Sequence, residues 1–440
     1  MERAYMMKAT KFRRGARIVH KLQTYRIDRP VLLIEDQRAL ALMAEAMLRE
    51  EWGCEVMVAA SLSEARQLLE AHGAEFIAAV CDLNLPDAPY GEVIDLVNKY
   101  GVPAIALTGA FGEELRNMVT KKGVVDYVLK EGVNSYEYVV NLVGRIHKNT
   151  DIKVLVADDS LSARAVLKHM LSVQGLNVLT AKDGYEAVEM LEQHPDIKLV
   201  LVDYNMPKMN GFSFVLEARK RMGKDQLAII GVSGENGGNI SAQFLKNGAN
   251  DFIAKPYSYE ELICRVTQNL EMLEMVESIQ NIANRDYLTG MYNRRFFFDE
   301  GYNIYEHAKN NGSNLFIAMI DVDHFKMVND TYGHDCGDMI LKHLAVQLSA
   351  YFRNDLIARL GGEEFALLIA EEDIHSTTER LEAFRMHIER ETVSCGTTNI
   401  AFTVSIGGSH HLQENLDMML KTADENLYHA KQSGRNRVVA

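Results

Sequence analysis

The sequence predicts an α/β protein whose first two-thirds are two doubly wound, mainly parallel sheets, followed by an α/β unit of another kind. Three observations carry that prediction. A set of short apolar strands ending in acids occurs twice in the same order. Amphipathic helical patterns separate those strands, and strands alternating with helices build parallel sheets covered on both faces. Past residue 280 the repeat stops, and a strand-end Asp is followed by a glycine-tipped hairpin. At 440 residues the chain is too long for one core; about three domains is ordinary for that length.

The elements follow in order. Residues 1–29 are basic and lack an apolar core, so they read as a disordered tail, the preferred reading, or a docking arm rather than a secretory signal. "VLLIED" (31–36) is an apolar strand ending in two acids, and "VLVADD" (154–159) repeats it. "AAVCDLNLPD" (78–87) matches "VLVDYNMPKMNG" (200–211), "AIALTG" matches "IIGVSG", and "DYVLK" matches "DFIAK". Thr108 and Lys130 stand 22 positions apart, as do Ser233 and Lys255. Asp36 to Asp82 is 46 positions and Asp159 to Asp203 is 44. Between the strands, Ser61 with Glu64 and Ser258 with Glu261 are spaced as capping boxes opening helices. The repeated polar residues all fall at the carboxyl ends of strands, where doubly wound sheets place their sites.

Three carboxylates gathered there, Glu35, Asp36 and Asp82, repel one another and suit a hard divalent cation such as Mg²⁺. Thr108 and Lys130 would hold the oxygens of a phosphoryl group on Asp82. Asp158, Asp159, Asp203, Ser233 and Lys255 form the second set. A single strand-end acid is ordinarily a solvated loop residue; four matched elements in order, twice, outweigh that reading. These segments resemble the response-regulator receiver domain, over residues 30–148 and 152–272. The resemblance implies phosphotransfer from a histidine kinase, or a phosphotransfer protein, to Asp82 and Asp203. It implies Mg²⁺ held by Asp36 and Asp82, and by Asp159 and Asp203, with a carbonyl from Asn84 or Asn205. Tyr127 and Phe252 stand at the family's aromatic switch position. Lys255 is followed by the usual Pro256, whereas Lys130 is followed by Glu131.

From 261 to 283 the pattern is helical without a break, with Val266, Leu270, Leu273, Val276 and Ile279 at three- and four-residue steps. This predicts a last receiver helix extended into a connecting helix; the spacing is not a clean heptad. Beyond it, "NLFIAMIDVDHFKMVND" carries a strand ending at Asp321, and "RLGGEEFALL" (359–368) reads as a hairpin. Gly361 and Gly362 permit a tight turn close to a phosphate. A strand-end Asp beside two Glu places carboxylates where Mg²⁺ would bridge them to a triphosphate.

"DYLTGMYNRR", "DVDHFKMVNDTYGHDCGD", "GGEEF" and "KQSGRNR", in that order, resemble the GGDEF family of diguanylate cyclases across residues 282–440. The resemblance implies a central antiparallel sheet flanked by helices, like a polymerase palm, in which two GTP become cyclic di-GMP. It implies Mg²⁺ or Mn²⁺ on Asp321, the Val322 carbonyl and Glu363, with Glu363 also helping to deprotonate the ribose 3′-hydroxyl. Asn329 and Asp338 match guanine-reading positions, Lys326 a residue stabilising transition-state charge, and Lys431, Arg435 and Gly362 phosphate contacts. Glu364 adds negative potential. For His324 packing is preferred to catalysis, and Asp323 and His334 are read as structural. The family's inhibitory Arg-x-x-Asp is altered: Asp355 is in place, but Phe352 occupies the arginine position and Arg353 comes one residue late.

Composition sets the outer limits. The net charge of −14 opposes nucleic-acid binding. No apolar run is long enough to span a bilayer. The five scattered cysteines read as reduced thiols of a cytoplasmic protein. Together these readings predict a phosphorylation-regulated diguanylate cyclase acting as a homodimer, because one domain holds one GTP. The alternative is a catalytically silent response regulator that binds GTP or cyclic di-GMP.

Overall fold

The computed structural model describes residues 26–109, 113–234, 238–370, 373–410 and 412–440; the basic tail expected at 1–29 lies, up to residue 25, outside the described residues. The chain divides after Glu277 into two compact units. The first holds two parallel sheets. β1 (Val31–Ile34), β2 (Val56–Ala59), β3 (Ala78–Asp82), β4 (Ala104–Thr108) and β5 (Asp126–Leu129) lie in the order β2-β1-β3-β4-β5. β6 (Lys153–Ala157), β7 (Asn177–Ala181), β8 (Ile197–Asp203), β9 (Ala228–Ser233) and β10 (Asp251–Ala254) repeat it as β7-β6-β8-β9-β10.

The central strands are apolar up to the polar residues at their carboxyl ends because helices cover both faces, and β1, β3, β4 and β9 are buried at every position. Each sheet accordingly separates two apolar clusters, one per face. The capping residues act as their spacing predicts: Ser61 accepts from the Glu64 N–H and Ser258 from the Glu261 N–H. The fold begins ahead of residue 30. Ile27 is buried in the first core, and Arg29 donates to the carbonyls of Glu75 and Phe76.

The two receivers touch within this unit. Gln174 donates to the Val125 carbonyl and to the Tyr259 hydroxyl, both at 2.8 Å, and Tyr259 donates to the Val124 carbonyl at 3.0 Å. Arg145 pairs with Glu274 at 2.7 Å. Tyr259 and Glu274 belong to one unbroken helix, Tyr259–Asn284. Its Leu262, Val266, Leu270 and Leu273 pack on the second receiver, whereas Ile279 and Ile282 are exposed.

The second unit holds β11 (Tyr292–Asn293), β12 (Leu315–Val322), β13 (Leu356–Gly361), β14 (Glu364–Ala370), a separate hairpin of β15 (Thr392–Cys395) and β16 (Thr398–Ala401), then β17 (Val404–Ser409) and β18 (Val438–Val439). The main sheet runs β11-β13-β14-β12-β17-β18, antiparallel in its centre and parallel only at the two edges. Helices Arg294–Asn311 and Leu416–Gln432 supply residues to one face's core, and His334–Tyr351 and Ile374–Arg390 to the other's.

Candidate functional sites

In the first receiver, ligand oxygens of Glu35, Asp36 and Asp82 lie within 4.8 Å of one another. Glu35 and Asp82 are buried, while Asp36 is exposed. Lys130 reaches across them, 2.7 Å from Glu35 Oε2 and 2.7 Å from Asp82 Oδ2. Burial pushes the Glu35 carboxyl up, against the pull of Lys130. The Asp82 carboxylate also accepts from the Asn84 N–H at 3.0 Å. Thr108 ends β4, buried, and its carbonyl accepts from the Lys130 N–H at 2.8 Å.

The second receiver is built alike. Lys255 lies 3.0 Å from Asp158 and 2.7 Å from Asp203, and Asp203 accepts from the Asn205 N–H at 2.8 Å. Burial raises the Asp203 carboxyl. Ser233 ends β9, buried, and its carbonyl accepts from the Lys255 N–H at 2.7 Å. Asp159 is exposed, and its group does not converge as tightly as the first receiver's, the one such acidic group among the described residues. Tyr127 lines a cleft of ≈ 230 Å³ with Thr120, Asp126 and Tyr259, whereas Phe252 packs against Phe244 with ring centroids 5.6 Å apart.

In the second unit, Asp321 and Val322 end β12, and the register places Asp321 opposite Glu364 on β14. Gly361 (φ 156°) and Gly362 (φ 50°) take left-handed conformations that carry the chain between the two strands. Burial, with Glu363 and Glu364 close by, pushes the Asp321 carboxyl up to about 6, although Lys431 Nζ sits 2.8 Å from it. Converging carboxylates that one lysine does not neutralise are a fit donor set for a divalent cation.

The neighbouring helix Phe325–Tyr332 carries Lys326, exposed, and Asn329, whose Oδ1 is buried without a hydrogen-bond partner. Gly337 backs it: a Cβ there would come within 2.0 Å of that oxygen. Asp338 follows one residue on, half-buried. Arg435 is exposed, in a left-handed turn. His324 likewise adopts φ 57° ahead of its helix. Asp323 is buried and accepts from Thr403, Ser405 and the Asn436 N–H, which ties the strand ends to the C-terminal loop.

Sequence reasoning missed the device behind the glycine turn. Arg359 donates to the Gly362 carbonyl at 2.6 and 2.8 Å and pairs with Asp286 at 2.8 Å. The signal was present, since Asp286 opens "DYLTG" and Arg359 opens "RLGGEE". At the altered inhibitory window, Phe352 is fully buried, with the Arg380 guanidinium 4.6 Å over its ring. Arg380 also pairs with Asp355 at 2.6 Å. The expectation of five separate thiols is corrected: Cys336 and Cys395 are joined, with Cα atoms 5.7 Å apart, because helix 334–351 packs on β15.

Fold and site define a chain with two receivers followed by a cyclase-type domain. Comparison with known proteins agrees. The response regulator receiver domain matches residues 31–135 and 154–267, and the diguanylate cyclase GGDEF domain matches 283–437. The chain is 30% identical over 302 residues to the response regulator PleD of Caulobacter vibrioides, covering 64% of this chain and 66% of PleD, just under two thirds of that relative. It is 29% identical to the diguanylate cyclase DgcM of Escherichia coli, covering 67% of this chain and 78% of that one. A crystal structure described as a putative two-component system response regulator/GGDEF domain protein is 41% identical, with TM-score 0.51, covering 56% of this chain and all of that one. The chain belongs to the family of response regulators that join receiver domains to a GGDEF domain. No helix among the described residues is long and apolar enough to cross a membrane.

Proposed function

We propose that this chain is a phosphorylation-regulated diguanylate cyclase, condensing two GTP into cyclic di-GMP and two pyrophosphates as the output of two-component signalling. The observations that carry the reading are Asp321, raised by burial with Glu363 and Glu364 close by, and the unpartnered Asn329 oxygen on the helix that follows. Asn329 and Asp338 read guanine: an acceptor oxygen and a carboxylate suit the N–H donors on its edge, which adenine lacks. Lys431, Arg435 and the Gly362 backbone take the phosphates, and Lys326 meets charge developing on the transferred phosphoryl group. Asp321, the Val322 carbonyl and Glu363 would hold Mg²⁺ or Mn²⁺, which lowers the pKa of a ribose 3′-hydroxyl and offsets phosphate charge. Glu363 accepts the hydroxyl proton, and Glu364 adds to the negative potential. Each domain offers one GTP, so the product requires a homodimer.

Upstream, Asp82 and Asp203 accept phosphate from a histidine kinase or phosphotransfer protein. Asp36 with Asp82, and Asp159 with Asp203, would hold the Mg²⁺ of each receiver. Lys130 with Thr108, and Lys255 with Ser233, hold the phosphoryl oxygens. We place the receivers at 30–148, with Ile27 and Arg29 just ahead packed onto it, and at 152–272, the connecting helix at 261–283 and the cyclase domain at 282–440, in a cytoplasmic protein.

Incubating the purified chain with GTP and Mg²⁺ and resolving the products tests the reading. Cyclic di-GMP and pyrophosphate are expected, and Glu363→Gln should lower the rate about 100-fold or more with the fold retained. Nucleotide binding without product would instead favour the silent response regulator.

A further inference from the structure

We propose that Cys336 and Cys395 are a reversible thiol–disulfide site that sets how tightly the guanine-reading end of the cyclase domain is held. The proposal rests on the assignment of Asn329 and Asp338 to guanine. Three observations place the site. Cys336 lies in the first turn of helix His334–Tyr351, directly before Gly337, which backs the Asn329 oxygen, and two residues before Asp338. Cys395 ends β15 in the small hairpin, a sheet separate from the catalytic one. The pair is joined across a separation of 59 residues, at a Cα distance of 5.7 Å that suits a disulfide.

Access is one-sided. Cys336 is buried in the apolar cluster that also takes in Val393 and Ile400, while Cys395 is half-buried at that core's edge. Cys395 therefore meets a small-molecule disulfide first. Its thiolate attacks one sulfur of glutathione disulfide and expels one glutathione thiolate. The Cys336 thiolate then attacks the Cys395 sulfur and expels the second. The two cysteines give up two electrons and two protons, and two glutathione thiols carry them away.

Closing the bond ties the first turn of the helix to the hairpin. Gly337 is then held against Asn329, and Asp338 keeps its position before the nucleotide arrives. A pre-ordered site loses less freedom on binding, so the oxidised form binds guanine nucleotide more tightly. The bond touches none of the groups assigned to the chemical step, so the effect falls on affinity rather than on turnover.

The experiment uses the full chain carrying Cys264→Ser, because Cys264 is exposed whereas Cys54 and Cys81 are buried. Samples are equilibrated in oxidised and reduced glutathione buffers, and maleimide labelling with intact mass reports whether the pair is closed. Dissociation of a fluorescent GTP analogue and the steady-state KM and kcat for cyclic di-GMP synthesis are then measured. Reduction should raise both dissociation constant and KM roughly three- to tenfold, with kcat changed less than about twofold. Cys395→Ser, and separately Cys336→Ala, should show the weaker binding in both buffers. The proposal fails if the pair never closes in the oxidising buffer. It fails equally if closure leaves affinity unchanged, or if Cys395→Ser still responds to redox state. Binding that tracks closure while neither form makes product supports the switch and overturns the cyclase reading instead.

Discussion

The receiver sites and the cyclase site use the same parts to different ends. Each sets a buried aspartate at a strand end beside a lysine. In the receivers the lysine bridges two carboxylates, Glu35 with Asp82 and Asp158 with Asp203. In the cyclase domain Lys431 pairs with Asp321, while burial, with Glu363 and Glu364 close by, still raises that carboxyl. Both the first receiver and this site set three carboxylates against one lysine, so they differ in how the lysine is shared rather than in net charge. The placement of the lysine, rather than residue type, separates the two kinds of site.

Removing the charge tests that contrast most strongly. Asp321→Asn should abolish synthesis, a loss of about 100-fold or more, and should also stabilise the domain. The folded carboxyl titrates near 6 against an ordinary 3.8. The folded state therefore binds the proton more tightly, and stability falls as pH rises from the unfolded value through the folded one. At pH 7 the charged form costs about 3 kcal/mol at 1.36 kcal/mol per pKa unit. The cation-free Asn variant should be more stable to unfolding at pH 7, by roughly that free energy, and the gain should largely vanish near pH 4. Equal melting at both pH values would remove the charge-strain account.

The next effect separates the two receivers. The connecting helix packs its first half into the second receiver's core. The first receiver reaches it through Arg145 and Lys148 on Glu274 and through the Val124 carbonyl, which accepts from Tyr259. Beryllofluoride stimulation, about five- to 150-fold for an ordinary coupling free energy, should largely disappear in Asp203→Asn and persist in substantial part in Asp82→Asn. Tyr259→Phe combined with Glu274→Gln should remove the share that Asp82 supplies, so that adding Asp82→Asn to the pair changes nothing further. Full stimulation of Asp203→Asn would make the first receiver the principal input.

A smaller loss belongs to the turn. Arg359→Ala frees the Gly362 carbonyl and leaves Asp286 without its guanidinium. Synthesis should fall roughly tenfold through misplacement of the phosphate-side backbone, with GTP still preferred over ATP. Unchanged kinetics would show that the glycine turn holds itself. The smallest effect concerns feedback. With Phe352 buried and Asp355 already engaged by Arg380, cyclic di-GMP should inhibit weakly, and Arg380→Ala should alter that inhibition less than about threefold. Potent inhibition that survives the substitution would locate another product site.

Much of this was legible in the sequence because it is local or periodic. The repeated strand-end acids, the 22-residue spacing to each lysine and the capping boxes are properties of neighbouring residues, and backbone geometry turns them into two sheets of one strand order. The glycine pair before Glu363 announced its turn for the same reason. Contacts between residues distant in the chain were not legible. Arg359 with Asp286 at the turn, Tyr259 and Gln174 between the receivers, Arg380 over Phe352, and the union of Cys336 with Cys395 all join segments that no period connects. The sequence by itself determined which acidic, hydroxyl and basic residues stand at the strand ends and turns. Only the tertiary structure decided which charges are neutralised and which remain, because a pKa depends on burial and on partners brought from elsewhere in the chain.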